Sequence, residues 1–397
     1  MQPALACCCR RRARAIQIPF YYLAAICFNR IRGMREQAGG WVDMGKRAAI
    51  RPVDWDGGRV VWINQRNIPW KEEWRRSSSV EELARAIETL EIRGAPAIGV
   101  AAGFALTLAV WGARGGAQGA MKALRRGAGR IRSTRPTAVN LFWAVQRMLD
   151  RAERMHDEGA TLAGLKEGML EEARAIQRED IEANMAIGRY GNSLVRDGDV
   201  ILTHCNAGAL ATAGYGTSYG VIRAAWESGK DIRVIATQTA PLYQGARLTI
   251  WELTRDGIPA TLITDSMAAY AMGNEGVTKV MVGADRILLN GSVANKIGTL
   301  GLAVIAKHVG IPFYVAAPLS TVDPKSRSIP IESRAPEEVR TFLGKVRMTV
   351  EDVPVLNPAF DVTPPRLVSA IITERGIARK PYERSLGNII GARGGKG

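Results

Sequence analysis

Between residues 200 and 316 the chain alternates short apolar runs with amphipathic stretches of about ten residues. The runs at 200–204, 232–237, 260–264, 277–282 and 312–316 read as strands, and the stretches at 245–256, 266–272 and 298–308 read as helices. Strands joined through helices in one sheet connect by right-handed crossovers, so this alternation implies a parallel sheet covered on both faces. The runs are apolar throughout rather than at every second residue, as strands buried on both sides require.

The part before it reads differently. An apolar run at 60–65 suggests one early strand. Ser78 and Ser79 precede a stretch with apolar residues at Val80, Leu83, Ala86, Ile87 and Leu90, a capped helix start followed by helical spacing. Further helical patterns cover 98–111, 140–155 and 161–195. The expected fold class is α/β: a small, mostly helical N-terminal domain with a strand element over 51–175, then a parallel-sheet domain over 176–385, with the break inside a helical connection. No repeat of 20–50 residues is present.

Residues 1–50 resemble neither part. They hold nine basic and two acidic residues, a net +7 of the chain's +16, and four of its five cysteines (Cys7, Cys8, Cys9 and Cys27). The apolar run 16–28 is too short to span a bilayer as a helix, and no clean cleavage site follows it. The expectation is an extension ahead of a start at Met34 or Met44, outside the fold, with no membrane partner. Cys205 is then the only cysteine of the body and can form no internal disulfide, which fits a reducing, cytoplasmic setting. The remaining charge favours anionic ligands, but no long Lys/Arg tract lies outside the head. With 6% aromatic residues the chain is no stacking platform, so no nucleic-acid partner is expected.

In an open parallel sheet, ligands bind beyond the carboxyl ends of the strands. That rule selects four loops: 204–208 with 214–217, 237–247, 264–266, and 283–299. Cys205 opens a glycine-rich turn, where a helix N-terminus would favour the thiolate; read by residue type it is equally a small buried hydrophobe. Asp285 follows a fully apolar strand, and a dry environment there would raise its pKa and suit a general acid; alternatively it is a strand-end or capping aspartate. His204 has no clustered partners and reads as a hydrogen-bonded structural histidine, so no metal site is expected. No P-loop signature occurs, and Gly208, Gly214 and Gly216 match a dinucleotide fingerprint only loosely. In the helical half, Arg93-Gly94-Ala95-Pro96 sets a guanidinium beside free backbone amides, a natural phosphate clamp. Arg135 sits at a helix entrance, whereas Arg125, Arg126, Arg130 and Arg132 read as a solvated basic face.

Seven ordered blocks resemble one family. They are Arg93-Gly94-Ala95-Pro96-Ala97-Ile98-Gly99, Arg135-Pro136-Thr137-Ala138-Val139-Asn140-Leu141, Thr203-His204-Cys205-Asn206-Ala207-Gly208, Gln244-Gly245-Ala246-Arg247-Leu248-Thr249, Val282-Gly283-Ala284-Asp285-Arg286, Asn295-Lys296-Ile297-Gly298-Thr299, and Asn357-Pro358-Ala359-Phe360-Asp361-Val362-Thr363-Pro364. The family is that of the S-methyl-5-thioribose-1-phosphate isomerases of methionine salvage. Its superfamily includes ribose-1,5-bisphosphate isomerases and regulatory subunits of a translation-initiation nucleotide exchange factor.

The resemblance implies a Rossmann-like C-terminal domain, a homodimer, no cofactor, and a phosphorylated sugar as substrate. It also implies that Arg93, Gly94 and Ala95, aided by Arg135, hold the phosphate, and that Gln244, Asn295 and Lys296 bind hydroxyls and phosphate. Cys205 and Asp285 would be the catalytic pair, Asp285 as proton donor. One block departs from the family: Gln238-Thr239-Ala240-Pro241 stands where the family has Glu-Thr-Arg-Pro, as though an ion pair had been lost as a unit. Which tail the sugar carries depends on whether a neighbouring pocket is apolar, for a methylthio group, or cationic, for a second phosphate. Trp62 and Trp70 suggest an apolar lining. A non-catalytic regulatory subunit is the alternative of a different class, and it would not need Cys205, Asp285 and Lys296 together.

Overall fold

The structure is a computed structural model that describes residues 50–135 and 138–391. Apart from Ile50, the extension expected over 1–50 lies outside the described residues.

The N-terminal half begins with a three-stranded antiparallel sheet: β1 (Val53–Asp56), β2 (Arg59–Ile63) and β3 (Trp74–Ser77). Sequence periodicity pointed only to β2. β1 and β2 are joined by Gly57-Gly58, both at positive φ, the conformation a tight hairpin turn demands. Five helices follow: α1 (Val80–Glu88), α2 (Ala95–Trp111), α3 (Gly116–Arg132), α4 (Val139–Asp157) and α5 (Leu162–Asn192). Ser79 caps α1, its hydroxyl accepting from the Glu82 N–H, as the sequence implied. α2 is apolar all round and runs through the centre of the bundle. Its Gly103 lies against Ala173 of α5, where small residues let the two backbones close up.

The second half holds β4 (Val200–Thr203), α6 (Ser218–Glu227), β5 (Arg233–Thr237), α7 (Ile250–Arg255), β6 (Ala260–Ile263), α8 (Ala268–Asn274), β7 (Lys279–Val282), β8 (Arg286–Leu288), β9 (Val293–Lys296), α9 (Thr299–Val309) and β10 (Phe313–Ala316). Beyond them come β11 (Val322–Asp323), α10 (Glu337–Arg340), β12 (Thr341–Phe342), β13 (Val346–Arg347), β14 (Phe360–Thr363), β15 (Ala370–Thr373), β16 (Gly376–Ala378) and α11 (Tyr382–Gly391). The main sheet has seven strands in the order β16-β15-β10-β7-β4-β5-β6, parallel except for the β15–β16 pair. Alternate residues bury on opposite faces: Leu202, Val280 and Val315 on one, Ile201, Met281 and Ala316 on the other. The chain is thus the α/β protein expected, with a helical N-terminal region and a parallel-dominated sheet.

Two expectations need correction. The sheet does not end with the last apolar run read as a strand, 312–316, because β15 and β16 extend the same sheet edge. The stretch 283–298 is not a plain loop: it folds into the β8–β9 hairpin, which pairs with β11 and β14 in a separate four-stranded sheet. The boundary expected at 175/176 falls inside α5, whose early turns bury Leu165 and Met169 in the helical core and whose late turn buries Ile187 against the main sheet.

Chain order across the sheet fixes where a ligand can enter. The path starts at β4 in the middle, moves out through β5 and β6, returns to β7, and moves out the other way through β10 and β15. Connections diverge above the carboxyl ends of β4 and β7, which opens a crevice there.

Candidate active site

The loops that follow β4 and β7 supply Cys205 and Asp285, one on each side of that crevice. The loops touch: a Cβ on Gly283 would sit 2.9 Å from the Ala207 side chain, so glycine is required for the contact. Cys205 and Asp285 line one cavity with Arg93, Gly94, Ala95, Arg135, Gln244, Asn295 and Lys296. Every site residue expected from the sequence therefore reaches the same space.

Cys205 adopts φ 63°, a strained conformation for a residue with a Cβ. Its neighbours hold it there. The Cys205 N–H donates to Thr239 Oγ1 (2.8 Å), and its carbonyl accepts from Thr249 Oγ1 (2.6 Å). Burial pushes the thiol pKa up, and Asp285 adds to the rise, against the pull of Arg93 and Lys296. This corrects the expectation of a thiolate at a helix N-terminus: only a three-residue helical turn, Ala209–Ala211, follows, and desolvation outweighs the nearby cations. For Asp285, burial likewise raises the pKa, opposed by Lys296, Arg93 and Arg135, as the dry strand end implied. Lys296 closes β9 with its Nζ 5.0 Å above the Phe360 ring. Burial pulls its pKa down, while Cys205 and Asp285 hold it up.

One end of the cavity comes from the helical half. Gly94 caps α2 at φ 93°, and a Cβ there would meet the Ala211 carbonyl oxygen at 2.3 Å. The loop can lie on the Gly208–Thr212 turn only because residue 94 is glycine. The first amides of the 17-residue α2 face this end with no side-chain cap. Arg93 donates from Nη1 to Asn206 Oδ1 (2.5 Å) and from Nη2 to the Asn206 carbonyl (2.8 Å). Arg135 lies 3.5 Å from Glu332 and keeps a buried Nε without a partner. Gln244 is buried with Oε1 unpartnered, and Asn295 Nδ2 donates to Thr299 Oγ1 (3.0 Å).

His204 is structural, as its isolation in the sequence implied. Its Nε2–H donates to the Ile297 carbonyl (2.9 Å), which leaves Nδ1 to accept from Thr237 Oγ1 (2.6 Å); burial lowers its pKa. The departing segment is held by Asp265, whose carboxylate accepts from the N–H groups of Thr239 and Ala240 (2.7 Å each). Thr239 in turn supports Cys205, so the loop positions the thiol without the missing ion pair. The basic face on α3 lies outside the cavity: Arg130 bridges Glu81 and Glu88, Arg125 lies 3.7 Å from Glu153, and Arg132 donates to Gln146. Among the described residues, no group of three or more His, Cys, Asp or Glu side chains is placed to hold a metal ion, and no helix is long and apolar enough to cross a membrane.

Sequence reading missed Asn206, Glu252, Arg334 and Phe360. Arg334 sits in an aperiodic segment outside the seven blocks; Phe360 lies inside one of them, but an apolar ring carries no chemistry that marks it as part of a site. One expected lining fails. Trp62 is buried with its Nε1–H on Glu91, away from the cavity, whereas Trp70 is 60% exposed beneath the Lys345 ammonium. Trp70 lines a second, adjoining cavity with Arg66, Arg75, Arg247 and Lys345; Leu90, Arg93, Leu242, Gln244 and Arg334 are common to both cavities.

The profile of the Initiation factor 2 subunit family matches residues 91–380. The chain is 51% identical over 347 residues to a methylthioribose-1-phosphate isomerase of Desulforudis audaxviator, a match covering 86% of this chain and 98% of the relative. It is similar to the crystal structure of 5-methylthioribose 1-phosphate isomerase from Pyrococcus horikoshii OT3 (TM-score 0.81, 43% identity, covering 87% of this chain and 97% of that one). It is also similar to the crystal structure of the translation initiation factor eIF-2B, subunit delta, from A. fulgidus (TM-score 0.77, 46% identity, covering 86% of this chain and 99% of that one).

Proposed function

The chain belongs to the Initiation factor 2 subunit family, in its methylthioribose-1-phosphate isomerase branch, and from that premise we propose the chemistry its cavity performs. The reaction is the aldose–ketose isomerisation of 5-methylthioribose 1-phosphate to 5-methylthioribulose 1-phosphate, a step of methionine salvage. The observation that carries this reading is the convergence of Cys205, Asp285 and Lys296 with the uncapped N-terminus of α2 above the β4/β7 crevice.

The phosphate on C1 blocks a free aldehyde, so the ring must be opened by acid. Arg93, the amides of Gly94 and Ala95, and Arg135 hold the phosphate; Gln244, Asn295 and Lys296 hold hydroxyls and phosphate. Asp285, whose pKa burial raises, gives its proton to the ring oxygen as the C1–O bond breaks. Hydrogen then moves from C2 to C1 by one of two routes. In the first, Cys205 takes the C2 proton and returns a proton to C1 of the resulting enol, while the Asp285 carboxylate takes the C2 hydroxyl proton. In the second, hydrogen moves with its electron pair from C2 to C1 while the Asp285 carboxylate takes the C2 hydroxyl proton, leaving the ketone at C2 and the acid restored. Burial of the thiol favours the second route, because a neutral thiol is no base. Cys205 then lines the transition state as an apolar, polarisable wall.

We further propose a cytoplasmic homodimer that works without a cofactor. The edge strand β6 and α8 leave Leu262, Met267 and Tyr270 exposed, a surface suited to a second copy. Ribose 1,5-bisphosphate remains a second reading because of one feature. Among the described residues, Arg247 in the adjoining cavity donates only to the carbonyls of Leu242, Gln65, Arg66 and Ile68, which leaves its charge for a second phosphate. Side-by-side assays of the purified chain on both sugar phosphates decide. Turnover of the methylthio sugar at a kcat/KM at least tenfold above the bisphosphate is expected; turnover of neither overturns the enzyme reading in favour of a regulatory one. Product formed in deuterated water should carry no solvent deuterium at C1, and deuterium there would restore Cys205 as a base.

A further inference from the structure

Glu252 lies outside the cavity and takes no part in the mechanism above, yet it is among the most buried carboxylates of the molecule, 4% exposed on α7. Among the described residues it forms no ion pair. Its Oε2 accepts from Asn206 Nδ2 (2.5 Å) and its Oε1 from the Leu210 N–H (3.0 Å). Asn206 Nδ2 also donates to Thr249 Oγ1 (3.2 Å), while its Oδ1 and carbonyl both accept from Arg93. A buried carboxylate without a cation is expensive, so its retention calls for a reason.

The reason is orientation. An asparagine amide has one donating and one accepting end. An ionised carboxylate only accepts, so it compels the NH2 of Asn206 to face Glu252 and the oxygen to face Arg93. A carboxylate placed directly on Arg93 would orient it as well, but it would occupy the guanidinium and compete with phosphate. One neutral amide between them fixes direction and leaves the cation's charge for the ligand. Gly208 supports this reading: its φ of −91° is ordinary, but a Cβ there would lie 2.2 Å from Glu252 Oε2. The glycine makes room for the carboxyl group.

We propose that Glu252 is a positioning residue for phosphate recognition: acting through the Asn206 amide, it aims the Arg93 guanidinium into the cavity. The proposal rests on the reading of Arg93 as a phosphate ligand. Burial, with Asp256 nearby, pushes the Glu252 carboxyl up to about 7, against the hydrogen bonds from Asn206 and Leu210 and the charge of Arg93. The carboxylate form that orients the amide is therefore populated at neutral pH and above.

The test is Glu252→Gln, whose own NH2 must face one of the two donors and so turns Asn206 or breaks the Leu210 bond. At pH 8 the variant should raise KM and the inhibition constant of inorganic phosphate together by tenfold or more, with kcat changed less than threefold. Gly208→Ala, which displaces the carboxyl without removing it, should give the same split. A folded Glu252→Gln with wild-type KM and phosphate inhibition overturns the proposal, as does a loss confined to kcat or to thermal stability. If Glu252→Gln does not fold, Gly208→Ala decides by the same criteria. Phosphate affinity that depends on Glu252 in a wild-type protein with no isomerase activity would sink the isomerase reading and leave this one standing.

Discussion

Cys205 and Asp285 differ in how their positions could be read. Each follows an apolar run, so each was legible as a strand-end residue facing a crevice; that they face the same crevice follows from β4 and β7 being neighbours, paired at Ile201 and Lys279 across 78 residues of chain, which no local pattern reveals. Substituting either should separate chemistry from binding. A general acid contributes roughly 10²–10⁴-fold, so Asp285→Asn should lower kcat by at least about 10²-fold with KM within threefold; Cys205→Ala, which removes a polarisable wall and no proton-transfer group, should lower kcat by less. Near-normal turnover would remove that residue from the mechanism. Gly94 makes a stricter demand. With φ 93° and a would-be Cβ 2.3 Å from a backbone oxygen, Gly94→Ala must move the Arg93 loop off the Gly208–Thr212 turn. Phosphate inhibition should then vanish before the fold does, measured as Ki beside the circular dichroism melt. Glu252 was not legible at all. Its role depends on Asn206, 46 residues away, and on an amide whose direction only the folded structure defines.

At the scale of elements, the helices and buried strands followed their periodicity closely, because a 3.6-residue or an all-apolar pattern is a direct record of which side is buried. Elements that escaped share a physical cause. β1 and β3 are four-residue strands, too short for a period to stand out, and α6 carries Gly220 where a good helix former would signal a helix. The hairpin β8–β9 pairs with β14, some 65 residues on, so its partner lies far beyond any local window. α5 shows what an element adds that a residue cannot. Near its C-terminal third, one oxygen of Asp180 accepts both from the Ala213 N–H (2.7 Å) and from Asn184 Nδ2 (2.9 Å), tying the helix to the turn that lines the cavity. Burial pushes this carboxyl up to about 7 from 3.8, with Glu374 adding to the rise. The folded chain therefore binds a proton here that the unfolded chain has released, and its contribution to stability is lost as pH rises from about 4 through 7. Asp180→Asn keeps both accepted bonds and removes the titration. The variant should melt higher than wild type at pH 8 and no higher at pH 4, read by calorimetry; an unchanged difference across that range would show that Asp180 does not titrate with folding.

Across the whole molecule, the cavity draws on both halves of one chain: the α2 terminus and Arg93 from the helical core, the thiol and carboxyl from the main sheet, and Lys296 from the separate four-stranded sheet. Arg247 helps join the halves, its guanidinium donating to carbonyls at Gln65 and Ile68. All the groups assigned to the reaction therefore sit within a single chain, and this bears on the proposed dimer. If two copies meet along β6 and α8, they do so at the sheet edge remote from β7, where Leu262 is 43% and Tyr270 62% exposed. Charging that surface with Leu262→Lys and Tyr270→Glu together should convert a dimer into a monomer in sedimentation velocity, with the circular dichroism spectrum intact. Because no reacting group is borrowed from the partner, the monomer should keep kcat within about threefold. A monomer that has lost kcat while keeping its fold would mean that the second copy completes the cavity, and a wild-type chain that already sediments as a monomer would leave the exposed edge without the role given to it.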